Sequence, residues 1–187
     1  MTTNKAKSDL EPWNMNKTKL SIIGILSLLL VGCVGLHSGV KTNVDRFQGT
    51  VTKSVAIMVA RDLSVTILQV RKDTQVGYSL GVSYIDTDWM FIESGESCII
   101  LADGARFPLK GDGSAAFRET AGGPVVKETA WYVLVPREML AKIANARQAS
   151  LKVYGTKRSC EGRFTDGARK AIQKFLAETE ATAPSAN

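Results

Sequence analysis

From Val76 to Tyr84 the chain alternates without a break between two kinds of side chain. Val76, Tyr78, Leu80, Val82 and Tyr84 are large and apolar, whereas Gly77, Ser79, Gly81 and Ser83 are small. A period of two sends successive side chains to opposite faces of an extended chain, so this stretch predicts a strand. One face is built for a core, and the other admits close approach of another element. The neighbouring sequence follows the same logic. Leu63 to Arg71 is rich in Val, Ile and Thr and predicts a partner strand across the turn Lys72-Asp73-Thr74. Beyond the turn Asp86-Thr87-Asp88, the run Trp89-Met90-Phe91-Ile92 reads as a further strand, and Ser94-Gly95 reverses the chain into Cys98 to Leu101. Asp103-Gly104 tolerates the positive φ of a tight hairpin and leads into Arg106 to Leu109. A loop of about fourteen residues from Gly111 to Pro124 reads as a mobile or partner-contacting element, and Val125 to Val135 as the next strand.

The pattern then changes period. Met139, Leu140, Ile143 and Ala144 fall at helical spacing after Pro136, which suits a first helical position, so a helix is expected near 136–147. Leu151 to Tyr154 reads as a short strand, with Ser159 to Phe164 as its hairpin partner. Ala168, Ile172, Phe175 and Leu176 predict a second helix near 166–180, with Thr165 as its N-cap. The expected fold class is α+β: an antiparallel meander sheet of six to eight strands with two amphipathic helices on one side or end. This single domain spans 50–180, and the small, polar residues 181–187 read as a disordered tail.

A different segment precedes the domain. Lys17 and Lys19 stand before an apolar run from Leu20 to Leu36, and within that run lies Leu30-Val31-Gly32-Cys33. This layout resembles the lipobox signal of bacterial lipoproteins. The resemblance covers residues 15–34 only. It implies a lipid carrying acyl chains such as palmitate on Cys33, cleavage before that cysteine, and export. Residues 1–32 are then an N-terminal extension and signal peptide. The acidic residues Asp9 and Glu11 fit a signal poorly, and Met15 gives a more ordinary start. Residues 33–49 become a lipid-anchored linker. Val34 rather than aspartate after the cysteine implies the periplasmic face of the outer membrane in a two-membrane cell. The alternative is an uncleaved helix: seventeen residues reach the short limit for crossing a bilayer, with the lysine-rich end cytoplasmic. Both readings export the domain.

Assigning Cys33 to lipid leaves Cys98 and Cys160, which fit either a disulfide in an oxidising compartment or two small buried hydrophobes. Charge is uneven. Val34 to Pro136 carries ten Lys/Arg against eleven Asp/Glu, a net of −1, whereas Arg137 to Lys174 carries ten against three, a net of +7. Arg158, Arg163, Arg169 and Lys170 in this basic segment form a possible surface for DNA or another anionic polymer, against the plainer reading of solvated helix faces.

Little of the sequence points to catalysis. The sole histidine, His37, lies in the linker, so a histidine-based triad is excluded from the domain, and two cysteines sixty residues apart give no zinc-ligand spacing. Asp86, Asp88 and Glu93 could serve a carboxylate-based periplasmic hydrolase, and Asp86, Asp88, Asp103 and Asp112 could bind calcium, but aspartate is also what turns prefer. Trp89, Phe91, Trp131 and Tyr132 are core residues unless two of them stand exposed side by side, as a carbohydrate or peptide groove requires. The sequence therefore favours a non-enzymatic, lipid-anchored binding or tethering module. Its partner would be an envelope protein or the cell wall, and it needs no metal and no cofactor beyond the lipid.

Overall fold

The computed structural model describes residues 39–121 and 123–180. Cys33, the apolar run before it, His37 and residues 181–187 lie outside the described residues.

Four strands open the domain as an antiparallel meander: β1 (Lys41–Asp45), β2 (Thr50–Met58), β3 (Leu63–Lys72) and β4 (Gln75–Asp86). The alternation in β4 works as the sequence implies. Tyr78, Leu80, Val82 and Tyr84 are buried on one face, while on the other Gly81 lies beneath the Trp131 ring, where a Cβ would come within 2.9 Å of the indole. Asp73 takes the left-handed conformation (φ 53°) at the β3–β4 turn. The chain continues through β5 (Gly95–Ala102), β6 (Ala105–Gly111), β7 (Arg118–Thr120) and β8 (Val126–Tyr132) to helix α1 (Arg137–Asn145). Next come β9 (Ala149–Tyr154), β10 (Ser159–Arg163) and helix α2 (Asp166–Glu180). Asp103 (φ 47°) and Gly104 (φ 85°) make the tight β5–β6 hairpin that Asp-Gly predicts.

The α+β class holds, but the strands form two sheets rather than one meander. The first has six strands in the order β1-β2-β3-β4-β8-β7, and the second has four in the order β10-β9-β5-β6. The division falls at the run Trp89-Met90-Phe91-Ile92, which is not a strand; only Ile92 makes an isolated bridge, to Gly155. Its amides are taken by a side chain instead of a neighbouring strand, so the chain leaves one sheet there and enters the other. Two further expectations are revised. The stretch read as linker contains β1, paired along its whole length with β2. The loop after Gly111 contains β7 and is pinned by Ser114, whose amide donates to the Ile92 carbonyl at 3.1 Å.

Both helices are laid down by their apolar stripes. Met139, Leu140, Ile143 and Ala144 of α1, and Ala168, Ile172, Phe175 and Leu176 of α2, are buried in one core with the inner residues of both sheets. Thr165 caps α2, its hydroxyl accepting from the Ala168 amide at 3.2 Å. At the other end the Lys53 ammonium donates to the Glu178 carbonyl at 2.6 Å and Arg71 to the Thr179 carbonyl at 3.3 Å. Cations there satisfy the last carbonyls and suit the negative end of the helix dipole. Phe175 is wholly buried and meets Tyr78 edge to face, whereas Val44 is exposed on the edge strand. Phe175→Ala is expected to cost about 3–5 kcal/mol, and Val44→Ala less than about 0.5 kcal/mol. Urea unfolding of the two variants measures both.

Candidate functional site

Strand β8 presents Val126, Glu128, Ala130 and Tyr132 inward. Three of these positions hold residues that suit a core, and the fourth holds a carboxylate with no solvent exposure. Burying an ion is unfavourable unless hydrogen bonds replace its water. Glu128 gains them from the run that fails to become a strand. The amides of Met90 (2.6 Å) and Phe91 (2.9 Å) donate to its Oε1, and the amide of Ile92 (3.1 Å) and the Ser114 hydroxyl (2.6 Å) donate to its Oε2. The Arg118 guanidinium adds a partial counter-charge, its Nε lying 3.7 Å from Oε2 and 3.1 Å from the Ser114 oxygen. Burial raises the carboxyl pKa, but the Ser114 hydroxyl and the three amides together outweigh it and hold the group below its ordinary value.

This grip shapes the surface above it. Phe91 is held at φ 56°, a conformation costly for a bulky residue by about 1–3 kcal/mol. Its ring stays half-exposed beside the half-exposed Trp89, with centroids 6.1 Å apart and planes at 33°. The Arg118 guanidinium lies 4.7 Å and the Lys157 ammonium 4.8 Å from the Phe91 centroid. The β9–β10 turn braces the run from the other side: Glu93 donates to the Tyr154 carbonyl, Thr156 to that of Phe91 and Lys157 to that of Met90. Gly155 makes this approach feasible, because a Cβ there would overlap the Met90 carbonyl. The result is a ledge of two adjacent rings flanked by cations. Trp131, by contrast, covers Gly81, and Tyr132 is buried with its hydroxyl 3.0 Å from that of Ser97.

The carboxylates singled out from sequence make no hydrogen bond to one another among the described residues. Asp86 accepts from the Thr87 amide (2.7 Å), the Tyr84 hydroxyl (2.8 Å) and Arg158 (3.0 Å). The Thr87 and Tyr84 bonds, with the Arg158 charge, lower its pKa, the opposite of what a general acid requires. Arg158 also reaches the Asp88 carbonyl at 3.1 Å, but the carboxylates of Asp88 and Glu93 are exposed and make no hydrogen bond or ion pair among the described residues. Asp103 spends both oxygens on the amides of Arg147 and Gln148, and no cluster of metal-ligating side chains occurs among the described residues.

Cys98 and Cys160 are free thiols. Both face Val153, Cys98 from β5 and Cys160 from β10, so two strand spacings, about 10 Å, separate them. That exceeds the roughly 7 Å limit for a disulfide, and the pairing is excluded. Burial pushes the Cys98 thiol up to about 12, and burial with the Asp62 carboxylate beside it pushes Cys160 up to about 11. Neither is a thiolate at neutral pH.

The four basic residues divide among three places. Arg163 and Arg169 line an open groove of about 750 Å³ together with Arg147, Asp103 and Glu161, at the start of α2. Arg169 is tied to Asp166 (2.6 Å) and to the Phe164 carbonyl (2.9 Å), while Arg147 and Arg163 carry no ion pair among the described residues. Lys170 lies at a separate depression beside Gly39 and Val55, and Arg158 lies over the Tyr84 ring, bonded to Asp86 and to the Asp88 carbonyl. Comparison of the chain with protein-family models, curated sequences and solved structures found no match.

Glu128→Ala orphans three amides and is expected to cost about 3–5 kcal/mol. Glu128→Gln must turn its NH2 towards existing donors and costs roughly 2–3 kcal/mol. Because the folded pKa lies below the ordinary 4.5, the stabilisation from Glu128 is complete above that pH and is lost as pH falls through the folded value. Urea midpoints should therefore fall more steeply below pH 4.5 for the wild type than for Glu128→Gln.

Proposed function

We propose that the chain is a lipid-anchored envelope protein whose domain is a non-enzymatic binding module, holding a macromolecular partner at the ledge formed by Trp89 and Phe91. One observation carries this reading: two aromatic rings stand half-exposed side by side, on a backbone held in a strained conformation by a buried carboxylate. A pre-positioned contact loses little entropy on binding. The Leu30-Val31-Gly32-Cys33 motif after its apolar run supports the anchor. Multiple acyl chains hold a domain firmly to one leaflet, which raises its effective concentration at partners there.

The groove of Arg147, Arg163 and Arg169 supports a second reading, in which an anionic polymer is the partner. Binding there weakens steeply with salt and is lost on reversing the charge of Arg147 and Arg163. Binding at the ledge depends on Trp89.

Intact-mass analysis of the membrane-extracted protein tests the anchor. The expected species begins at Cys33 and carries added lipid; a mature chain that still holds residues upstream of Cys33 contradicts it. Quantitative comparison of the proteins and polymers that co-purify with the wild type and with Trp89→Ala tests the ledge. A specific partner should fall at least about tenfold in the variant, as loss of an interface aromatic anchor implies; an unchanged set overturns the assignment.

A further inference from the structure

Apolar side chains gather at the end of the six-stranded sheet where the β1–β2 and β3–β4 turns lie side by side. Thr50 pairs with Lys72 and Lys72 with Gln75, which fixes both turns at that end. Phe47, in the first turn, is 103% exposed, and Val44, Val70 and Val76 are exposed within a few residues of the turns. The β8–α1 loop reaches the same region, because the Val135 amide donates to the Tyr78 carbonyl at 3.0 Å. Leu134 before it is 84% exposed and held at φ 56°. We infer that this end of the domain rests on the lipid bilayer, with Phe47 inserted at its surface, an inference that rests on the lipid anchor at Cys33.

The reach of the anchor brings a bilayer to this end. Six residue steps separate Cys33 from Gly39 and span at most about 20 Å. Seven steps from Gly39 along β1 to Arg46 rise about 23 Å. An extended tether lying beside β1 therefore ends level with the turn that carries Phe47. That turn is already shaped for contact: Asp45 Oδ1 accepts from the amides of Phe47 (2.9 Å) and Gln48 (3.1 Å), and Gly49 takes φ 64°. The other side chains favour a fluid partner. Val76 is in phase with the buried residues of β4, and Val44 pairs with Val51, in phase with those of β2, whereas Val70 is in phase with the outer face of β3. Side chains leaving the sheet in opposite directions form no single flat patch for a protein, but lipid closes around each of them. Charge does not decide the matter. Arg46 and Lys72 are balanced by Asp45 and Asp73 in the two turns, and beside them Arg137 pairs with Glu180. Insertion is therefore apolar and needs no anionic headgroup. At the opposite end of the sheet Met58 and Ile85 are each less than half exposed.

The test reconstitutes the membrane-extracted protein in phosphatidylcholine vesicles as two variants, Phe47→Trp and Arg61→Trp. Arg61 is exposed in the β2–β3 turn at the opposite end of the same sheet. Both sites are on the surface, so both variants should melt with the wild type. With the wild-type signal subtracted, Phe47→Trp emission is expected to shift to the blue. Lipid brominated on its acyl chains should quench it several-fold more than Arg61→Trp. The effect should persist in high salt and be unchanged by added phosphatidylglycerol. Quenching no greater than at Arg61 overturns the inference, as does a blue shift without quenching, the sign of a protein covering the ring. Quenching that needs phosphatidylglycerol, or that salt abolishes, overturns apolar insertion. Intact mass of the same preparation separates the two readings. Lipid on Cys33 with an unquenched Phe47→Trp overturns this inference alone, whereas a quenched Phe47→Trp with no lipid on Cys33 overturns the anchor alone.

Discussion

A single carboxylate decides where this domain stops being one sheet. Glu128 takes the amides of three consecutive residues, Met90, Phe91 and Ile92, and so removes from strand pairing a run that has every other qualification for it. The chain leaves β4, crosses over Glu128 and begins the second sheet at β5. The same carboxylate draws in Ser114 and through it Arg118, fixing the loop that follows β6. Removing the carboxylate leaves buried donors with no acceptor, and this loss costs more than any single hydrogen bond contributes. Burial of this charge follows from the backbone it serves.

What surrounds that anchor is ordinary core physics. Alternating residues of β3, β4 and β8 meet the stripes of two helices, and the last carbonyls of α2 are closed by Lys53 and Arg71 from the facing strands. The ledge is different in kind. Partly buried aromatics, two cations packed on a ring and a left-handed phenylalanine together build a fixed local shape. Residues that break a local rule without strengthening the core tend to mark functional surfaces.

Much of the scaffold was legible in the sequence because it obeys local rules. The β4 alternation, the Asp-Gly hairpin, both helical stripes and the Thr165 cap each depend on residues within a few positions of one another. The division into two sheets was not legible, because Trp89-Met90-Phe91-Ile92 has strand propensity and its competitor for those amides lies 38 residues away from Met90. A signal did exist: Glu128 falls in phase with Val126, Ala130 and Tyr132, so an inward carboxylate could be read from the alternation alone. Cys98 and Cys160 show the reverse case. Two cysteines in one domain invite pairing, and only strand order shows Val153 standing between them.

The account turns on Glu128 being ionised and gripped by the amides of residues 90–92. A carbon-detected NMR titration of its carboxyl, with the Met90, Phe91 and Ile92 amide protons followed in the same samples, tests this directly. The account predicts a midpoint below the ordinary 4.5, with all three amides shifting at that same midpoint. A midpoint at or above the ordinary value, or amides that ignore the titration, would contradict it.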